Sequence, residues 1–320
     1  TGPPPTRMPV SMAAWPTLTI VIVAGSRTEA LHKAVRSVAR QTDGHWNLLV
    51  VADDPADGAA KVVESWRDDR RMRLLAGAPD LGTAAAKSRA VLAADSEWIA
   101  FLDEGDELLP GFVAAWRGFV RLVPGVQFTW AGVERTGARR DTRRLRIRGD
   151  RWDGVRPHAH EILTAFDRCR ALTVRRQALL RVRAFQEHFT YAQDVDMGMR
   201  LVAAGAAYAA MPQALVRADA GAAGSRNQFD RVDCYELLRL IAGNCALLDQ
   251  QPRLSRHFRR LAMIRCYRQG ASRMARKLAA QMLGRGELDL RSLFDMLRLE
   301  VSMGARRLRG GADRPYGDDS

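Results

Sequence analysis

Between Leu18 and Leu102 the chain alternates short apolar runs with amphipathic stretches, and this alternation restricts the fold more than any other feature. The run Leu18-Thr19-Ile20-Val21-Ile22-Val23 is β-branched and almost wholly apolar, the pattern of a parallel strand covered on both faces. Thr28 opens a helical stretch carrying Leu31, Val35 and Val38 at three- and four-residue spacing. Leu48 to Val51 predicts a second strand, Val62, Val63 and Trp66 a helix, and Met72 to Leu75 a short strand. The Ala-rich run Ala84 to Ala94 is a strong helix former, and Trp98 to Leu102 is a further strand. Repeated strand–helix units of this kind give a parallel sheet flanked by helices.

Beyond Pro110 the pattern predicts a helix to about Leu122, a strand over Val126–Trp130 and a hairpin or loop over the Arg-rich residues 135–156. Ala171–Val174 reads as a strand, and a helix follows within Tyr191–Ala204. From Gln228 the character changes to long amphipathic helices, broken near Gln251-Pro252 and at Gly284-Arg285-Gly286. One helical face, with Phe258, Leu261, Ile264, Tyr267, Met274 and Leu278, is expected to pack as core. The expected organisation is a disordered Pro-rich leader (1–16), an α/β domain (17–225), a helical C-terminal region (226–309) and a flexible tail (310–320).

With 47% hydrophobic and 27% charged residues, the chain has ordinary globular composition and can bury a large core. No apolar run approaches the roughly 20 residues of a membrane-spanning helix. Cys169, Cys234, Cys245 and Cys266 show neither CxxC pairing nor metal-ligand spacing, and are expected to be reduced, mostly buried thiols of a cytoplasmic protein. His158 and His160 read as loop residues, since no third ligand accompanies them. The net charge of +14, concentrated between Arg135 and Arg183 and again between Arg253 and Arg309, attracts polyanions: nucleic acid, anionic lipid or phosphate-bearing substrates. The chain has no helix-turn-helix, zinc or aromatic RNA-binding signature, which argues against nucleic acid.

In an open α/β sheet, ligands bind beyond the carboxyl ends of the strands. Two acidic clusters fall there: Asp53/Asp54 after the second strand, and Asp103/Glu104/Asp106 after the fourth. Clustered carboxylates need a neutralising charge, commonly a hard divalent cation, which could screen a diphosphate leaving group. Solvated loops and helix caps use the same residues.

Three segments together resemble the family 2 inverting glycosyltransferases. They are Trp46-Asn47-Leu48-Leu49-Val50-Val51-Ala52-Asp53, then Trp98 to Pro110 (WIAFLDEGDELLP), then Arg175-Arg176 with Phe185 and Tyr191-Ala192-Gln193-Asp194-Val195-Asp196 with Arg200. They occur in the family's order and spacing over roughly residues 17–220. The resemblance implies a Rossmann-like GT-A domain with a mostly parallel sheet, plus a C-terminal helical extension. Nucleotide-sugar binding would occupy about 17–110, and the acceptor and catalytic half about 111–225. It implies donor binding by Asp53, Lys87, Asp103, Glu104 and Asp106, and a divalent cation (Mn or Mg) held by Asp103, Asp106 and Asp219. Asp194 would be the general base that deprotonates an acceptor hydroxyl, supported by Gln193, Arg200 and Arg217. The implied partners are a nucleotide-diphosphate sugar and a hydroxyl acceptor; separately, the Arg-rich amphipathic segment Leu254 to Leu283 suits an anionic membrane surface, at the inner face of the membrane. The chain departs from the pattern at Ala52, Gly105 and Gln193, where the family usually has acidic residues. It departs again at Ala24-Gly25-Ser26-Arg27, at Lys87-Ser88 and at Asp219. The first three departures motivate an alternative, a catalytically silent relative that binds a nucleotide sugar or a partner. Asp196 and Arg200 have the spacing of an i,i+4 ion pair.

Overall fold

The computed structural model describes residues 16–52, 58–77, 82–136, 170–219 and 231–308, with the backbone alone at 135–136, 170, 219 and 301–308. The leader, the tail, most of the Arg-rich stretch and both histidines of the 158–160 segment lie outside the described residues.

Strands β1 (Leu18–Ala24), β2 (Trp46–Ala52), β3 (Met72–Ala76) and β4 (Trp98–Leu102) pair in parallel, in the order β3-β2-β1-β4. The sheet continues from β4 through β7 (Arg170–Arg175), β6 (Phe128–Thr136) and β8 (Tyr208–Asp219) to the three-residue β5 (Asp106–Leu108). In this half β4–β7, β6–β7 and β5–β8 are antiparallel, while β6–β8 is parallel.

Side chains of one strand alternate between two apolar layers, as the twofold pleat requires. Leu18, Ile20, Ile22, Leu48 and Val50 face one layer with α1 (Thr28–Ala39) and α4 (Phe112–Leu122). Val21, Leu49 and Val51 face the other, with α3 (Gly82–Ala93). Covered on both sides, β1 and β2 must be apolar almost continuously. α3 buries the successive residues Ala84 to Lys87 with Ala90 and Val91, and its small side chains let it approach the sheet closely. In the opposite layer Trp98 and Trp116 meet edge to face at 5.5 Å. The remaining helices of the α/β part are α2 (Ala59–Glu64), α5 (Arg176–Arg181) and α6 (Gln193–Ala203).

The C-terminal helices are α7 (Cys234–Gly243), α8 (Cys245–Gln250), α9 (Pro252–Arg268), α10 (Ser272–Gly284) and α11 (Leu290–Leu308). Leu237, Leu240, Phe258, Cys266, Tyr267 and Leu278 join the same buried cluster as Val21 and Phe101, so these helices extend the sheet's own core. Leu261, Ile264 and Met274 pack against it as expected. Burial pushes the Cys266 thiol up to about 12, with the adjacent Cys234 adding to the shift. β8 and β5 were not apparent in the sequence. β8 contains Pro212 and four alanines, which obscure its periodicity, and β5 is too short to show any.

Candidate active site

The carboxyl ends of β1, β2 and β4 lie level: Ala24 pairs with Ala52, and Ile22 with Leu102. Arg27 and Asp103 therefore leave the sheet at one rim. Asp53 itself lies outside the described residues. Its loop ends at Gly58, whose φ of +86° suits glycine and where a β-carbon would come 2.7 Å from Thr28 Oγ1. Gly58, where the described chain resumes, thus lies against Thr28, the neighbour of Arg27.

The turn after β4 is closed by the Asp106 N–H, which donates to the Asp103 carbonyl at 2.9 Å. Glu104 is buried, and its Oε2 accepts the Gly25 N–H at 3.2 Å. A β-carbon on Gly25 would stand 3.0 Å from that oxygen, so glycine permits the approach. Arg27 Nε lies 3.8 Å from the same oxygen. Burial raises the Glu104 carboxyl above its ordinary range, while the Arg27 charge and the Gly25 and Arg27 N–H groups oppose the rise. Glu104 Oε1 is buried with no hydrogen-bond partner among the described residues. Asp106 is buried at the start of β5 opposite Ala218, so the backbone of Asp219 reaches the Gly105 end of the turn. The Asp219 side chain lies outside the described residues. Arg217, on the same strand, pairs with Glu134 at 3.4 Å.

Of the three residues expected to hold a cation, the side chains of Asp103 and Asp106 are described and that of Asp219 is not. Among the described residues no three His, Cys, Asp or Glu side chains gather as ligands. Gly105 supplies no side chain, and a β-carbon there would stand 3.4 and 3.5 Å from the two terminal nitrogens of Arg27. A guanidinium stands where a ligand carboxylate would project.

Lys87 is buried, and its Nζ donates to Asp194 Oδ1 at 2.8 Å, joining α3 to the first turn of α6. The ammonium lies 5.7 Å from the ring centre of Phe101 and 5.3 Å from that of Phe185, and those rings meet edge to face. Ser88 Oγ accepts the Phe185 N–H and donates to its carbonyl, both at 3.1 Å. The Asp194 side chain is one-third exposed, open enough to meet a ligand. Gln193 is buried, and its Oε1 has no hydrogen-bond partner among the described residues.

Asp196 faces the other way. Its Oδ2 accepts from Arg200 Nε at 2.8 Å, and its Oδ1 from Asn244 Nδ2 at 3.0 Å. Arg200 also donates to the carbonyls of Val182 and Ala184, bracing a bend in which Arg183 and Ala184 have φ values of +60° and +47°. Arg200 thus belongs to this buried brace.

Two residues that shape the candidate site were not legible in the sequence. One is Arg27. The other is Glu236 on α7, whose Oε1 accepts the N–H groups of Thr190, Tyr191 and Ala192 at 2.7, 2.8 and 3.0 Å. Three successive N–H groups converging on one carboxylate oxygen fix the chain just ahead of Asp194. Asp233 caps α7 by accepting the Glu236 N–H at 2.7 Å. No local spacing links Glu236 to residue 190, so only the tertiary structure reveals it.

Residues 19–169 match the family model described as Glycosyl transferase family 2. The match takes in a little under half of the chain, and over that segment the chain is similar to family 2 glycosyltransferases. Over 98 residues, 30% of this chain and 39% of the relative, the chain is 26% identical to "Putative teichuronic acid biosynthesis glycosyltransferase TuaG" of Bacillus subtilis. Over 90 residues, 28% of this chain and 35% of the relative, it is 33% identical to "UDP-Glc:alpha-D-GlcNAc-diphosphoundecaprenol beta-1,3-glucosyltransferase WfgD" of Escherichia coli. The matched segment thus spans less than half of either relative. The fold resembles S. aureus TarS 1-349 in complex with UDP-GlcNAc, with a TM-score of 0.58 at 12% identity over 94% of this chain and 95% of that one. It also resembles mannosyltransferase PcManGT from Pyrobaculum calidifontis in complex with GDP-Man and Mn2+, with a TM-score of 0.51 at 13% identity over 94% and 89%. The Rossmann-like GT-A architecture with its helical C-terminal part is thereby established for this chain.

Proposed function

We propose that this protein transfers a sugar from a nucleotide-diphosphate sugar to an acceptor hydroxyl with inversion, using Asp194 as general base. The observation that carries the reading is the Lys87–Asp194 contact, which ties a carboxylate of α6, one-third exposed, to the helix that follows β3 in the segment matched by the family model. In the reaction the acceptor oxygen attacks the anomeric carbon, the bond to the diphosphate oxygen breaks, and the hydroxyl proton passes to Asp194. Lys87 orients that carboxylate by donating to its Oδ1. Asp53, Asp103 and Asp106 suit the hydroxyls and base of the nucleotide sugar, while Glu104 holds Arg27 and the Gly25 backbone. The donor assignment draws support from the nucleotide sugars in the TarS and PcManGT complexes.

No helix among the described residues is long and apolar enough to cross a membrane. We place a peripheral contact with anionic lipid, at the inner face of the membrane, on α11. There Leu290, Phe294 and Leu297 are exposed at helical spacing beside exposed Arg291 and Arg298. A lipid-linked acceptor would be within reach of such a surface.

A thermal-shift panel of nucleoside diphosphates and their sugars tests the donor reading. A ligand at one hundred times its dissociation constant adds about 2.7 kcal/mol and raises the melting temperature by several degrees. A panel with no shift at all would contradict it.

A further inference from the structure

The rim of the sheet holds a cation that the proposed donor chemistry needs and that the family resemblance did not supply. Arg27 follows β1 by three residues and is the N-cap of α1, a helix of 12 residues, yet its side chain makes no capping hydrogen bond to that helix. Its Nε end is anchored by buried Glu104, while the side chain as a whole remains 52% exposed. The two terminal nitrogens extend over Gly105. An acidic side chain at position 105 would meet the guanidinium and neutralise it, whereas glycine leaves the fork open. A planar guanidinium suits two phosphate oxygens at once, and the positive end of the α1 dipole adds to the field.

We propose that Arg27 is the fixed cation that receives the donor's diphosphate, so that nucleoside-diphosphate binding survives removal of divalent metal. The proposal rests on the donor reading above and deepens it. Glu104 sets the direction of the fork, as a positioning residue. Asp103 and Asp106 are then left to meet hydroxyl groups of the ribose and sugar, where a carboxylate accepts hydrogen bonds without opposing a phosphate.

The test is calorimetric titration of the full chain with UDP and with GDP, in excess chelator and in manganese. The variants are Arg27→Ala, Arg27→Lys and the double variant Arg27→Ala/Gly105→Asp, with circular dichroism confirming that each is folded. At least one nucleotide should bind the parent equally, within about twofold, in chelator and in manganese. Arg27→Ala should lose about 10- to 100-fold in affinity, as expected for charge-assisted hydrogen bonds. Arg27→Lys, which keeps the charge but loses the fork, should fall between. The double variant should regain binding only with manganese. Parent binding that vanishes in chelator and returns with manganese, with Arg27→Ala unchanged, would overturn the proposal while leaving the donor reading standing. Failure of both nucleotides in both conditions would remove the donor reading and this inference with it.

Discussion

The two halves of the site are built in different ways. On the donor side, Arg27 and Asp103 leave parallel strands that pair without a break in register, and burial of apolar strand faces holds them. On the base side, Asp194 is placed by polar contacts from distant parts of the chain. Lys87 reaches it from 107 residues away, and Glu236 fixes the residues before it from 44 to 46 residues further on. The family match covers the donor side and ends at residue 169, ahead of the whole base region. Strand ends make a rim that tolerates exchange of individual side chains. A base held by a few charged contacts can be lost by one substitution.

This contrast has graded consequences. Asp194→Asn keeps the shape of the side chain but cannot take a proton, so turnover should fall by about 10² to 10⁴ while donor affinity stays near that of the parent. Steady-state kinetics with a donor titration checks this. Unchanged turnover would move the base elsewhere. Glu236→Ala leaves the N–H groups of Thr190, Tyr191 and Ala192 without their carboxylate and lets the start of α6 drift. Displacements of about 1 Å can cost about 10²-fold in rate. The loss should appear in kcat and not in donor affinity, and Glu236→Gln should recover part of it. An equal loss in donor affinity would mean that the two halves are not independent.

Asp196→Asn should act on stability. It leaves the partly buried Arg200 charge without its carboxylate, a loss of roughly 3 kcal/mol, visible as a lower denaturant midpoint at unchanged slope. In the protein that remains folded, turnover per molecule should match the parent. A kinetic defect as large as that of Asp194→Asn would show that Asp196 takes part in the chemistry. The smallest effect belongs to Asp233→Ala, which removes the cap of α7 and should lower stability by about 1 kcal/mol. Thermal melts resolve that difference. A drop in kcat with no change in melting would instead assign the cap to positioning Glu236.

The same contrast explains what could be read from the sequence. The parallel half was legible because β1, β2 and β4 are apolar on both faces and because acidic residues follow two of them directly. Asp196 and Arg200 were legible as a pair because helical spacing brings them together. Arg27 was not, because its role depends on Gly105, a residue notable in sequence only for the carboxylate it lacks. Glu236 was hidden for a related reason. It lies in an amphipathic helix whose apolar face dominates the pattern, while its partners are backbone groups that carry no residue identity. Lys87, set in an Ala-rich helix, suggested a phosphate contact, and the structure adds its bond to Asp194.

The most direct test of the account follows the anomeric configuration of the product by proton NMR during turnover of an α-linked nucleotide sugar drawn from those that raise the melting temperature. In-line attack assisted by one carboxylate predicts that the first product formed is β-linked, and that Asp194→Asn forms it at least about 10²-fold more slowly. An α-linked first product, or equal rates for the two proteins, would contradict the account.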